Sequence, residues 1–525
     1  MTVVADHETA AAPATSPPRW GAADAFCLAL ILAAAAAVRY ASLGVPTFDE
    51  LWHLALTKGW GSPLGAFTTD VIHRDAISQT SLESARSLAH VWTGMGGVLH
   101  PPLYVVLLRV WREVFGASEV AAQSLSIAMS LISVLLCYAT ARLTMNRPIA
   151  CIAASALAFA QTQVYLAQEI RSYAMLVALA SIGLWLMTRV EVLGPTRRRA
   201  TGLAVISLLI ILTHYFGAGA AAAITLHGAW RMGPHRRWFL AATGVGATVF
   251  AASWLRVALT QLGDLSSGDA LLHRPDVSTV ERLALLAGIP FRLLAERDFQ
   301  VELTPLFSGV LFLLPWLLVR RFRPLLPWML WMWLSVLPVL ILDLSRNTVH
   351  LALIRYVAVA TPAIPLLFAG VAWPIRRPLA YACALGSLAV GAIYLVSRNQ
   401  MPIDSPDVSP IARTIAARIA PGEPILSYEP RGAVWMSDVW MMTCSHEPGL
   451  FPRTVVELTK PMPPAMARDL AATSAWLICR PLERPLAEII PGATLLEAYG
   501  GVPGVEVLHV SIAPPATSAT RPSGP

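Results

Sequence analysis

The run Phe48-Asp49-Glu50-Leu51-Trp52-His53 sets two carboxylates side by side, with an imidazole four residues after the first. Such a pair suits general-base work on an acceptor hydroxyl. Asp49, Glu50 and His53, with His73 further on, could also hold a divalent cation, and the sequence leaves metal dependence open. A bland reading fits equally well: the start of an exposed helix, where acidic side chains favour the dipole. A second set of residues is basic and aromatic. It comprises Gln168-Glu169-Ile170-Arg171-Ser172-Tyr173, Thr213-His214-Tyr215 and Arg355-Tyr356, with Arg346 nearby. The planar fork of a guanidinium matches phosphate oxygens, so Arg171 and Arg355 suit an anionic head group. Arg171 could instead pair with Glu169 or snorkel to the interface. Between the two sets lies His100-Pro101-Pro102-Leu103-Tyr104.

These residues must be positioned by a strongly apolar chain. Of 525 residues, 56% are hydrophobic and only 14% charged, against about 25% charged in an average soluble domain. That ratio excludes an ordinary cytosolic enzyme, and also a disordered chain. The net charge of +7 is almost all arginine, since the lysines are Lys58 and Lys460 alone. The arginines cluster in short links between apolar runs, which is a membrane signature and not a nucleic-acid stripe. No nucleic-acid partner is expected. The six cysteines form no CxxC pair, so no zinc or dithiol motif is indicated.

A membrane helix needs roughly 20 apolar residues. Stretches of that kind occur at 22–43, 120–141, 148–168, 172–188, 238–255, 303–319, 324–342, 357–375 and 378–397. The run 200–230 is too long for one span and is expected to split at Thr213-His214-Tyr215, which makes eleven spans. Arginines at 142/147, 189/197–199, 231/236/237, 320/321/323 and 376/377 fall on alternate links, placing that face in the cytoplasm. Both flanks of 200–230 are arginine-rich, so the chain must cross there twice or not at all.

The expected architecture is mainly α: a polytopic membrane protein with a small outer domain. Residues 1–21 read as a disordered cytoplasmic leader and 22–397 as the membrane domain, with a first outer loop at 44–118. Residues 398–512 read as an extracytoplasmic α/β domain and 513–525 as a disordered tail. Within the first loop, Ile72, Ile77, Leu82 and Leu88 have helix-like spacing, and 105–115 reads as an amphipathic helix lying in the interface. In the outer domain, 424–428, 475–479 and 505–512 are strand-like, while 410–420 and 464–473 have helical periodicity. Cys444 and Cys479 either form a disulfide there or remain two free thiols. Cys27, Cys137, Cys151 and Cys383 are small packers within spans.

No charge lies in the middle of a span, where coupled transporters usually keep acidic groups, and no GxxxxGK phosphate loop occurs. The polar chemistry is at the outer helix ends. Acids at one place and arginines at others suit a substrate with an anionic head, a lipid tail and an acceptor to be deprotonated.

The ordered set Asp49-Glu50, His100-Pro101-Pro102-Leu103-Tyr104, Phe115-Gly116-Ala117-Ser118-Glu119, Gln168–Tyr173, Thr213–Tyr215 and Arg355-Tyr356 resembles a known family over about residues 20–375. It is similar to the membrane glycosyltransferases of the GT-C fold. The branch is that of the protein O-mannosyltransferases, lipid A aminoarabinose transferase and rhizobial galacturonosyltransferases. The resemblance implies transfer of a sugar, with inversion, from a polyprenyl-phosphate donor to an acceptor lipid, glycan or protein at the outer face of the cell (inner) membrane. It implies Asp49 as base, with Glu50 beside it. Glu169, Arg171, Tyr173, His214, Tyr215, Arg355 and Tyr356 would lie at the donor phosphate and acceptor, with His100 and Tyr104 nearby. The family often carries Arg where this chain has Gln123. Alternatives are a polymerase or ligase acting on lipid-linked glycans, a lipid flippase or transporter, and a non-catalytic scaffold.

Overall fold

The computed structural model describes residues 20–63, 67–261, 272–295, 317–319, 322–396, 409–430, 444, 447, 449–502 and 504–513. The expected leader, all but the end of the span at 303–319, and the C-terminal tail lie outside the described residues. The chain divides into two compact units. One comprises Met1–Leu43, Leu99–Tyr104 and Gln123–Asn399; the other comprises Gly44–Val98, Val105–Ala122 and Gln400–Pro525.

The first unit is helical. Among the described residues, five helices are long and apolar enough to cross a bilayer: Ala22–Ala41, Glu119–Arg142, Tyr173–Leu193, Gly233–Gln261 and Leu325–Arg346. A sixth forms if the 3-10 segment Ile354–Ala360 and the helix Ala363–Ala372, bent by 54°, count as one. This is an integral membrane protein. Shorter apolar helices occupy the other expected stretches, Arg147–Phe159 and Arg377–Val396 among them. The run 200–230 breaks where expected. One helix ends at Thr213, His214 is extended, and the next helix is Ala218–Arg231.

Helix contacts in the first unit use small residues, as apolar surroundings favour. A β-carbon on Gly219 would lie 1.9 Å from the carbonyl oxygen of Leu334, so only glycine permits that approach. Charges that enter this unit are satisfied inside it. Asp24 accepts from the Tyr138 hydroxyl at 2.6 Å and from Arg142 Nε at 2.7 Å. Arg39, wholly buried, donates to Ser130 Oγ and to the carbonyls of Ala35 and Ala158.

The second unit is built on a six-stranded sheet of order β1-β3-β2-β4-β6-β5. The strands are β1 (Ile72–Ala76), β2 (Ile425–Tyr428), β3 (Arg453–Leu458), β4 (Ser474–Cys479), β5 (Ala493–Val502) and β6 (Val505–Ile512). β3, β2 and β4 run parallel; β1 is antiparallel to β3, and β6 is antiparallel to both β4 and β5. Side chains alternate across the sheet with the two-residue period of a strand. Ile425, Val455, Trp476 and Val507 pack on one face with Ile411 and Ile415 of the Ser409–Arg418 helix. Leu426, Val456, Leu477 and Leu508 pack on the other with Ala467 and Leu470 of the Pro464–Leu470 helix.

One expectation is corrected here, and one alternative left open is settled. The segment around Ile72 is a strand, not a helix: Asp70 and Asp75 have φ of 58° and 52°, which interrupts a right-handed helix. Asp70 is held there by Thr459, whose amide and hydroxyl both donate to its carboxylate. Cys444 and Cys479 are free thiols belonging to opposite core faces, so the disulfide does not form. Burial pushes each thiol up to about 12. In the helix Leu103–Phe115, Arg109 and Arg112 bond within the second unit. Arg109 donates to the Thr57 carbonyl at 2.7 Å, and Arg112 to the carbonyls of Leu54 and Thr80 and to Thr57 Oγ1. These two arginines add donors at the C-terminal end of the helix Phe48–Leu56, where Leu54 also accepts from the amide and hydroxyl of Thr57.

Glu423 ties the second unit's helix face to its sheet. It accepts from the Ala420 amide at 2.8 Å, Trp476 Nε1 at 3.1 Å, His509 Nε2 at 2.9 Å and the Ser474 hydroxyl. Burial works to raise its pKa, but these donors outweigh it and hold the group at about 2, against 4.5 unperturbed. A carboxylate with a depressed folded pKa stabilises the fold above its unfolded pKa and loses that contribution as pH falls toward the folded one. Glu423→Gln should therefore be less stable than the parent above pH 4.5, with the difference shrinking toward pH 2. Urea unfolding followed by tryptophan fluorescence at several pH values measures it; a constant difference between the two proteins would exclude this role.

Candidate active site

In the first unit, the helix breaks bring the basic and aromatic set together. Arg171, seven parts in a hundred exposed, lies 5.1 Å from the ring of Tyr173, and Arg355 lies 5.6 Å from the ring of Tyr356. Arg355 feels the charges of Arg171 and Glu169 and the phenols of Tyr173 and Tyr356. Aromatic contacts continue the wall: His214 is 5.3 Å from Tyr173 and 5.6 Å from His100, while Phe216 is 4.6 Å from Tyr356. The opposite charge of Glu169 offsets part of the repulsion that Arg355 feels from Arg171.

The local sequence explains how the loop residues are held. Ser126 Oγ donates to the Glu169 carbonyl at 2.6 Å, fixing the 167–172 turn against the Glu119–Arg142 helix. His214 interrupts a helix, and its Nδ1 accepts from the Phe216 amide at 3.2 Å. In neutral imidazole an accepting Nδ1 leaves the proton on Nε2, so His214 is a donor at its Nε2.

Sequence reasoning missed His350 and the groups that hold it. His350 lies 5.5 Å from Tyr356 and 5.9 Å from Phe216, ring to ring. Its Nδ1 bonds to Asp343 at 2.9 Å. The same carboxylate accepts from the amides of His350 and Leu351 and from the Thr348 hydroxyl. Two arginines of the helix Thr279–Ala295 complete the frame. Arg282 donates to the Thr348 carbonyl, and Arg292 to the carbonyls of Leu351 and Ala352. Asp343 sits at the border of an apolar run and Arg292 in an expected loop, so neither stood out by spacing.

The Tyr215 hydroxyl accepts from Trp254 Nε1 at 2.9 Å and donates to Gln261 Oε1 at 2.5 Å. Tyr104 is buried at the start of its helix.

Within the second unit, Phe48–Leu56 is a helix, as the bland reading of its acids anticipated. Glu50 caps it: its carboxylate accepts from the Thr47 amide at 2.8 Å and hydroxyl at 3.0 Å. His53 Nδ1 bonds to the backbone carbonyl of Asp49 at 2.7 Å, not to its carboxylate. Among the described residues, no three His, Cys, Asp or Glu side chains gather as metal ligands. The set Asp49, Glu50 and His53 thus does not make a protein cage for a cation.

The fold has close counterparts. ArnT from Cupriavidus metallidurans superimposes with a TM-score of 0.55 at 14% identity, covering 93% of this chain and 98% of that one. The fold is that of the GT-C membrane glycosyltransferases. A second structure of the same ArnT, bound to undecaprenyl phosphate, gives 0.53 at 15% identity with the same coverage. An oligosaccharyltransferase from Archaeoglobus fulgidus matches at 0.43 and 10% identity, covering 86% and 68% of the two chains. The profile of the dolichyl-phosphate-mannose-protein mannosyltransferases matches residues 99–255. No curated protein matches the sequence. On this GT-C fold the matched region contains Glu169, Arg171, Tyr173 and His214.

Asp343→Ala should release four donors from one carboxylate, at about 1–3 kcal/mol for each buried group left without a partner. The variant should unfold at lower temperature than the parent in detergent, and His350→Phe should cost less because it abandons one of them. A His350→Phe loss equal to that of Asp343→Ala would show that the histidine, not the carboxylate, organises this turn.

Proposed function

We propose that this chain is a glycosyltransferase that moves a sugar from a polyprenyl-phosphate donor to an envelope acceptor, with inversion. It acts at the extracytoplasmic face of the cell (inner) membrane. The observation that carries the reading is the pair Arg171 and Arg355 beside a wall of Tyr173, His214 and Tyr356, on the GT-C fold. The ArnT structure with undecaprenyl phosphate supports a lipid phosphate as the donor's carrier.

The residues suit a single displacement. The acceptor hydroxyl attacks the anomeric carbon, its proton passes to a base, and the sugar–phosphate bond breaks with its electron pair leaving on the phosphate. That charge grows in the transition state, where fixed cations and N–H donors stabilise it most. Arg171 and Arg355 supply the cations and His214 Nε2 a donor. Asp49, carried over from the sequence resemblance, is the base. Glu169 and His100 line the same wall as positioning groups for donor or acceptor. Because the phosphate is itself the leaving group, no nucleotide enters the step.

Transfer from a radiolabelled polyprenyl-phosphate sugar in reconstituted vesicles tests this. Asp49→Asn should lower turnover by about 10²–10⁴, the usual contribution of a general base, while inserting normally. Arg355→Ala should raise KM for the donor more than it lowers kcat. Full turnover by Asp49→Asn removes it from the mechanism. Activity only with pyrophosphate-linked glycans would assign the chain to polymerases or ligases, and lipid movement without a new glycosidic bond would make it a transporter.

A further inference from the structure

The second unit has a cleft of its own. β2, β3 and β4 are adjacent and parallel, with β2 in the middle. The chain leaves β2 for β3 on one side and then crosses to β4 on the other, which makes a topological switch point. In open α/β sheets such a point opens a crevice beyond the carboxyl ends of the strands, and ligands bind there. Here the residues just past those ends are Glu429, Thr459 and Arg480, and all three line a cleft of about 620 Å³. That lies within the roughly 300–1,000 Å³ of small-molecule sites.

The lining is chemically unbalanced. Glu429 is buried, 1% exposed, and its Oε2 accepts from Arg480 Nε at 2.8 Å. Its Oε1, also buried, accepts no hydrogen bond among the described residues. A buried carboxylate oxygen left in that state is costly and calls for a hydroxyl or N–H donor. Arg484, on the opposite count, is exposed and makes no hydrogen bond or ion pair among the described residues, and Lys460 only a long one to Asp70 at 3.7 Å. The walls are stiffened by Pro430, Pro461 and Pro481.

We propose that this cleft binds a hydroxyl-rich anion, a sugar bearing a carboxylate or a phosphate, as a site separate from the arginine pair of the membrane unit. Arg484 and Lys460 take the anion, and Glu429 Oε1 accepts a ring hydroxyl. Neither interaction depends on the transfer reaction.

Saturation-transfer NMR on the purified full-length chain in detergent tests it, with glucuronate, glucose 1-phosphate, glucose and inorganic phosphate as probes. At least one charged sugar should bind, more tightly than glucose or inorganic phosphate, and the preferred probe tells carboxylate from phosphate. Arg484→Ala should weaken it about tenfold, as expected for one charge-assisted hydrogen bond. Glu429→Gln should weaken the sugar but not inorganic phosphate. Arg355→Ala should leave the affinity unchanged, which separates this site from the membrane unit. Arg484 is exposed, so its loss should not disturb the fold; an unchanged thermal transition checks that. The proposal is overturned if no charged sugar binds, if glucose or phosphate binds as well, or if Arg484→Ala and Glu429→Gln bind like the parent. Loss of binding in Arg355→Ala instead overturns it too.

Discussion

A helix that breaks among apolar surroundings leaves carbonyls and amides that lipid cannot satisfy, and the chain must supply partners from elsewhere. In the membrane unit the breaks near 160, 214 and 347–353 are where the chemistry-bearing side chains gather. Arg39 takes the Ala158 carbonyl before the first break. His214 satisfies the Phe216 amide at the second. At the third, Asp343 collects the amides and Arg282 and Arg292 collect the carbonyls. Irregular backbone is thereby fixed as firmly as helix, and it is irregular backbone that carries Arg171, His214 and Arg355.

The cations inside the chain differ in what holds them. Arg109, Arg112, Arg282 and Arg292 are consumed by carbonyls and act as rivets. Arg171 and Arg355 instead lie against aromatic faces and near each other.

Much of this was legible in the sequence, for a physical reason. The lack of charge marked the apolar helices, and Arg171, His214 and Arg355 stood out because polar groups at their edges are scarce. The division of the 200–230 run followed from its length, the polar Thr213-His214-Tyr215 within it and the arginines on both flanks. Other features were hidden because they depend on distant partners. Ile72 opens a run of apolar residues spaced like a helix, and only pairing with β3, nearly four hundred residues later, makes β1 a strand. The Thr47-x-x-Glu50 spacing of a capping box marks Glu50, not Asp49, as the helix cap, a signal that the sequence does carry. Arg292 and Asp343 were overlooked because their role is defined by the turn they hold.

The ladder between β1 and β3 has a consequence for topology. Backbone hydrogen bonds join Ile72 and His73 to Val456 and Val455, and such bonds form only between segments on one side of the lipid. The polypeptide between them therefore traverses the bilayer an even number of times. Any future count of spans in that interval must satisfy this condition, whichever way the whole molecule is oriented.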